Sequence, residues 1–343
     1  MEKQAKQNLM RRDVWVDVLR AFACICVILI HSSAKYDGHI PGQFILAPAN
    51  YVLMATGVSI FYMISGSLLL SKEQEILSFY RKRFTRILVP IVVWSIIYIF
   101  YEAFYFEKFS WDFVFHSISM IPFVQQTALL WFMYVLIGIY LVVPILSSWL
   151  VKVSKKEVEI ILAFWGITLL VPFFKLYDQN SELMIGSGGS LYYFSGFLGY
   201  AILGYYLRAY IHWCITGWKY ILLLSFSILF PLIVFFAPNI PLDLLNGSMN
   251  LPTVCLSASC FLFFKSFNYG SGKFIYLIQS ISKYSFGIYL SHWLFVLPLK
   301  YALTQYHINY VIQIPCTAFV VAIVSYILVV LLSKLPFGRY IIG

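Results

Sequence analysis

A chain of 343 residues that is 61% hydrophobic and 11% charged is not a soluble globular domain, in which about a quarter of the residues carry charge. The mean hydropathy is +0.83, and hydrophobic segments continue as far as residue 332, which leaves no room for a separate soluble domain. The net charge of +10 therefore indicates membrane topology, and no nucleic-acid partner is expected.

The hydrophobic segments predict an all-α polytopic membrane protein, a single bundle of about ten transmembrane helices forming one integral membrane domain over residues 1–343. Each segment is close to the length that crosses about 30 Å of hydrocarbon. The predicted spans cover residues 14–34, 50–70, 87–106, 127–149, 158–175, 190–208, 219–237, 249–267, 281–299 and 311–332.

The basic residues predict that both termini are cytoplasmic. With the N-terminus inside, eighteen Lys and Arg residues fall in cytoplasmic segments. The outer segments hold only Lys35, Lys108, Lys175 and Lys300. Such an asymmetry fixes orientation by the positive-inside rule.

The first span carries ionisable residues where charge is costly. An eleven-residue step separates Arg20 from His31, so on a helix they lie within about 20° of one another and roughly 16 Å apart along the axis. Asp13, Asp17 and Cys24 fall on the same side. Such residues inside a membrane helix are functional candidates. The alternative is an Asp17–Arg20 pair that satisfies itself, with His31 in the headgroup region.

The cytoplasmic run 79–90 places Arg83 and Arg86 on neighbouring faces of a helix that enters the third span. Paired guanidinium groups suit phosphates, which they bind in bidentate fashion. The alternative is a basic loop that sets topology or binds anionic membrane lipid.

Other residues are weaker candidates for lining a site. Ser65 and Gly66 interrupt the second span, where small residues favour close helix packing, and Tyr62 precedes them as a cavity-wall candidate. Trp131 and Tyr134 open the fourth span, where an aromatic belt is expected in any case.

Two further ionisable residues lie within predicted spans. His292 falls near the middle of the ninth span, as a catalytic, a site-lining or a structural residue. Glu102, near the outer end of the third span, is the nearest acid able to reach a histidine at the depth of His31, or else it is an interfacial carboxylate. No cluster has metal-ligand spacing, so no metal is expected, and the six cysteines are expected to be apolar packing residues.

Taken together, these segments resemble the acyltransferase 3 family of bacterial membrane acyltransferases. The resemblance spans residues 14–332. No appended extracellular domain is expected, so the chain is most similar to the stand-alone type. The O-acetyltransferase of enterobacterial common antigen is an example of that type. The motifs in family order are Asp17-x-x-Arg20, Arg20-x10-His31, the aromatic-x-x-Ser65-Gly66, Arg83-x-x-Arg86, Leu130-Trp-Phe-x-Tyr134 and Ser285-Phe-Gly-Ile-Tyr-Leu-x-His292. The second span has Phe61-Tyr62 where the family often has Phe-Phe.

The resemblance implies a multi-pass protein of the bacterial inner membrane that transfers an acyl group, usually acetyl, from cytoplasmic acyl-CoA to a hydroxyl of a glycan. By position, His31 would be the essential histidine, and Arg20, Arg83 and Arg86 would bind the CoA.

The heights of Arg20 and His31 in the first span are consistent with that assignment. If the first span begins near residue 14, Arg20 lies roughly 9 Å and His31 roughly 25 Å above the cytoplasmic edge. A pantetheine arm could carry the thioester to His31, which would act as general base or as a covalent acyl carrier. Ser32, Tyr62 or Trp131 could donate to the oxyanion.

Two rival functions remain at this point: a transporter or flippase of glycan intermediates, and a non-catalytic membrane sensor module. An acceptor other than a glycan, such as an amine or a lipid, also remains open, and so does a possible homo-oligomer.

Overall fold

The computed structural model describes residues 13–33, 56–106, 109–212, 215–237, 248–306 and 308–343, and within them the only regular structure is helical. The α-helices are α1 (Val14–Ser33), α2 (Thr56–Leu69), α3 (Ile76–Tyr105), α4 (Trp111–Met120), α5 (Trp131–Leu150), α6 (Lys155–Thr168), α7 (Val171–Phe174), α8 (Leu198–Tyr210), α9 (Trp218–Phe236), α10 (Leu251–Lys265), α11 (Lys273–Ser291), α12 (Trp293–Gln305), α13 (Tyr310–Leu332) and α14 (Gly338–Ile342). Short 3₁₀ turns occupy Ala128–Leu130, Gln179–Met184 and Tyr192–Phe194.

Six of the described helical segments are long and apolar enough to cross a membrane, and α11 with α12 makes a seventh if that bent pair is one span. Helices α2 and α10 are apolar but shorter, with 14 and 15 residues. The protein is thus a multi-pass membrane protein, while ten spans and cytoplasmic termini stay predictions. The predicted second span begins outside the described residues.

Three predicted spans differ from the observed helices. The span predicted at 87–106 is the end of α3, which begins at Ile76, so the basic cytoplasmic run belongs to the same helix. The span predicted at 190–208 begins only at Leu198. The span predicted at 281–299 covers parts of two helices, because α11 and α12 meet at His292 with a bend of 67°.

Polar side chains set the starts of several helices. Glu75 accepts from two backbone N–H groups of the first turn of α3. Ser154 and Glu157 form a capping box at the start of α6, and Asn250 and Asn309 cap α10 and α13. Each cap supplies an acceptor for N–H groups that a helix leaves without a partner.

Helices α1 and α11 pack side by side and run in the same direction. Contacts at successive heights show this, because residue numbers rise together in both helices. The pairs are Asp17 with Ser282, Cys24 with Ser285, and His31 with His292. His292 directly follows the last residue of α11. The predicted polar side of α1 is therefore the side that faces α11.

A second polar cluster joins the start of α1 to the ends of α8 and α10. Asp13 pairs with Arg208. The ammonium of Lys265 donates to the carbonyl oxygens of Leu207, Arg208 and Ile211 at 2.8–2.9 Å, which satisfies the end of α8. Helices α8 and α10 thus run opposite to α1, as alternate spans of the predicted topology would.

Glycines bring α2 and α8 into close backbone contact. A β-carbon at Gly66 would lie 1.9 Å from the carbonyl oxygen of Ala201, and one at Gly204 would lie 2.0 Å from that of Met63. The predicted packing role of Gly66 is confirmed, since only a residue without a side chain fits there.

We expect Gly66→Ala to lower thermal stability in detergent, because overpacking costs about 1–3 kcal/mol. The same change at Gly138, where a β-carbon meets nothing within 4 Å, is the control and should leave the melting temperature at or above that of wild type. Equal melting temperatures for the two variants would contradict this packing.

Candidate active site

Two histidines from distant parts of the chain form a pair. His31 Nδ1 lies 2.7 Å from His292 Nε2, and the rings stack at 4.9 Å between centroids with 20° between planes. His31 lies in the last turn of α1 and is half-buried, whereas His292 is fully buried at the α11–α12 break. Trp293 packs edge-on against the His31 ring at 5.6 Å.

The hydrogen bonds of the pair set which nitrogens carry hydrogen. His292 Nδ1 lies 2.6 Å from the carbonyl oxygen of Tyr289, which can only accept, so Nδ1 is the donor. In the neutral ring, His292 Nε2 then accepts from Nδ1–H of His31. This leaves the lone pair on His31 Nε2, a nitrogen to which no described residue donates.

The break that holds His292 is stabilised by two tyrosines of α3. Tyr98 donates its hydroxyl to the carbonyl oxygen of Leu290 at 2.5 Å, and Tyr101 donates to that of Leu294 at 3.3 Å. Pro298 has no N–H to give to the Leu294 carbonyl four residues earlier, which explains the need for Tyr101. Irregular backbone at membrane depth is tolerated where protein groups satisfy it in this way.

A cavity of about 240 Å³ lies among α1, α2, α3, α5 and α11, and four cationic side chains line it. The cations are Arg20, Arg83, Arg86 and Lys283. The arginines predicted separately from the first span and from the cytoplasmic run thus meet in one cavity. Such a concentration of positive charge suits an anionic ligand.

Aromatic rings connect the cavity to the histidine pair. Phe61, Phe132 and Tyr289 line the cavity, and the Phe132 ring lies 6.0 Å from that of Phe61 and 5.2 Å from that of Tyr289. Tyr289 also contacts His292, through its carbonyl oxygen and through a ring contact at 5.9 Å. The two features therefore share a wall.

Two other predicted site residues support the cavity. Asp17 is buried and accepts a hydrogen bond from Ser282, which lines the cavity. Ser65 lines it directly, as does Tyr140 of α5.

The remaining predicted residues of the second and fourth spans do not line this cavity. Tyr62 is buried and donates to the carbonyl oxygen of Phe132 at 3.3 Å, and Tyr134 donates to that of Ile121 at 2.6 Å. Trp131 is half-buried and packs on a neighbouring phenylalanine ring.

Two of the other candidates have partners elsewhere. Ser32, weighed as an oxyanion donor, gives its hydroxyl hydrogen to the carbonyl oxygen of Ile28 at 2.8 Å. Glu102 is half-buried and lies near Thr127, whereas the ring that contacts His31 is that of His292.

Three residues of this site were not among the sequence candidates. In the sequence, Lys283 is only one of the eighteen basic residues that indicate topology, although it lies one residue after the serine that binds Asp17. Trp293 directly follows His292 in the sequence, and this adjacency is the one feature that could have indicated it as a site residue. Tyr98 gives no signal in sequence, because its role depends on a break in a distant helix.

Comparison with known proteins gives one match. A family model described as an acyltransferase domain matches residues 13–333. No curated protein matches the chain, and no solved structure does.

We expect Tyr98→Phe to destabilise the break, because a buried carbonyl that loses its donor costs about 1–3 kcal/mol. The control is Tyr193→Phe, in which the hydroxyl is removed from a side chain that is 89% exposed. Thermal unfolding in detergent should show a lower midpoint for the first variant only. Unchanged midpoints in both would mean that Tyr98 does not support the break.

Proposed function

We propose that this chain, which belongs to the acyltransferase family matched over residues 13–333, moves an acyl group from acyl-CoA to an acceptor hydroxyl across the membrane. The acyl group is acetyl, and the acceptor is a cell-surface or lipid-linked glycan. The protein works in the bacterial inner membrane.

One observation carries the proposal: the cationic cavity shares a wall with the histidine pair. Arg20, Arg83 and Arg86 offer guanidinium groups suited to the phosphates of CoA. Tyr289 lines the cavity and fixes His292. A donor anchored by its phosphates thus has the base within reach of its flexible arm.

The direction of the helices supports a donor that enters from the cytoplasm. Helix α3 carries Arg83 and Arg86 near its start, next to the exposed Arg81 and Lys82, and such basic segments favour the cytoplasmic side. His31 lies eleven residues beyond Arg20 along α1, a rise of roughly 16 Å toward the opposite side. The arm of the donor would cover this distance, so that the CoA itself stays on the cytoplasmic side.

The chemistry starts at the lone pair of His31 Nε2. This nitrogen takes the proton of the acceptor hydroxyl as its oxygen attacks the thioester carbonyl carbon. The tetrahedral intermediate collapses, the C–S bond breaks, and the CoA sulfur leaves with the proton that His31 had taken. His292 holds His31 in the productive tautomer and stabilises the imidazolium through the Nδ1–H bond.

The same lone pair would also serve a covalent route, in which His31 Nε2 takes the acyl group and passes it to the acceptor. Rapid denaturation at neutral pH after addition of labelled acetyl-CoA without acceptor separates the two routes, because only the covalent route leaves label on the protein.

We expect His31→Ala to abolish acyl transfer from labelled acetyl-CoA while CoA binding persists, since a general base contributes roughly 10²–10⁴-fold. The variant leaves the cationic cavity intact. Undiminished transfer would contradict a catalytic His31 and would favour a sensor role for the buried charges. Movement of glycan without acylation would favour a transporter.

We expect His292→Phe to lower kcat by roughly tenfold to a hundredfold with little change in the KM for acyl-CoA. A hydrogen bond to a charged ring is worth about 1.5–3 kcal/mol, and each 1.4 kcal/mol is tenfold. His292→Gln, whose amide oxygen can accept from His31 Nδ1, should recover part of the rate. A change confined to KM would contradict a positioning role.

We expect Arg83→Gln to weaken CoA binding by about tenfold or more, because it removes a charge-assisted hydrogen bond. Arg81→Gln is the matched control, since Arg81 is exposed on the same helix and outside the cavity. Titration calorimetry with CoA should separate them. Equal affinities would assign Arg83 to topology alone.

A further inference from the structure

We infer that Lys283 and Arg86 form a subsite for the 3′-phosphate of CoA at the rim of the cavity, while Arg20 and Arg83 hold the diphosphate deeper inside. This inference rests on the proposed acyl-CoA donor. It assigns a role to Lys283 and predicts that the protein distinguishes CoA from dephospho-CoA.

The exposure of the four cations divides them into two pairs. Arg86 and Lys283 are exposed, whereas Arg20 and Arg83 are half-buried. Arg20 and Arg83 therefore form the inner pair and the other two form the rim.

Gly343 and one turn of α11 connect Arg86 with Lys283. Gly343 packs between Arg86 of α3 and Phe286 of α11: a β-carbon on it would lie 3.4 Å from the Arg86 carbonyl oxygen and 2.1 Å from the Phe286 ring. Phe286 follows Lys283 by three residues, one turn of the helix. All four of these residues line the cavity.

The order of groups in CoA matches this arrangement. Starting at the thioester, the molecule runs through the pantetheine arm to the diphosphate, and then to the ribose that carries the 3′-phosphate. With the thioester directed toward His31, the diphosphate lies at the inner cations and the 3′-phosphate lies farther out. Two phosphate groups are thus met by two separate pairs of cations.

Removing the 3′-phosphate changes the charge that the rim pair meets. The diphosphate carries about two negative charges at neutral pH, and a phosphate monoester adds about 1.5 to 2 more. Four cations line the cavity. Dephospho-CoA lacks the monoester and would leave Lys283 and Arg86 without a phosphate, so it should bind more weakly.

The test is titration calorimetry of the full chain in detergent with CoA and with dephospho-CoA. Wild type should bind CoA about tenfold or more tightly than dephospho-CoA. Lys283→Gln and Arg86→Gln should each reduce that preference by weakening CoA binding alone. Arg83→Gln should weaken both ligands, and Lys82→Gln, an exposed change outside the cavity, should alter neither.

Equal binding of the two ligands by wild type would overturn the 3′-phosphate subsite and leave the acyl-CoA donor in place. An equal loss of both ligands in Lys283→Gln would also overturn it, since that residue would then act on the diphosphate. Binding of neither ligand by wild type would instead overturn the donor proposal itself, and the subsite with it.

Discussion

The hydrogen bond between His31 and His292 is the interaction around which the rest of the site is arranged. It exists because α11 stops at His292 and turns by 67°, which leaves the ring of that residue beside the end of α1. The carbonyl oxygen of Tyr289 completes the arrangement by fixing the tautomer of His292. Any change that straightens α11 and α12 into one helix would separate the two rings.

Membrane burial explains why so much of the fold supports this one contact. Polar groups at membrane depth are stable only with partners, and the partners here come from neighbouring helices. Asp17 accepts a hydrogen bond from Ser282, and the carbonyl oxygen of Leu290 accepts one from the hydroxyl of Tyr98. The contacts between α1 and α11 therefore hold the cavity and the histidine pair in a fixed relation.

Sequence alone predicts the parts of the site that lie on single helices. The eleven-residue step places Arg20 and His31 on one side of their helix. The three-residue step places Arg83 and Arg86 on neighbouring faces of theirs. The break at His292 was not predictable, because no proline or glycine stands at it and its carbonyl partners come from a distant helix.

Other features depend on which helices meet. In the sequence, Lys283 only indicates topology. Its place in the cavity becomes visible once α11 is packed with α1 and α3. The match of Gly66 to Ala201 also requires the packed pair. Sequence spacing therefore predicts which residues share a side of one helix. It does not predict which residues of another helix they contact.

The central claim is that the cationic cavity and the histidine pair serve one reaction. Electron cryomicroscopy of the protein with a non-hydrolysable thioether analogue of acetyl-CoA tests it most directly. We expect density for the diphosphate between Arg20 and Arg83, with the thioether sulfur beside His31 Nε2. An analogue whose phosphates lie outside the cavity, or whose sulfur points away from His31, would contradict it.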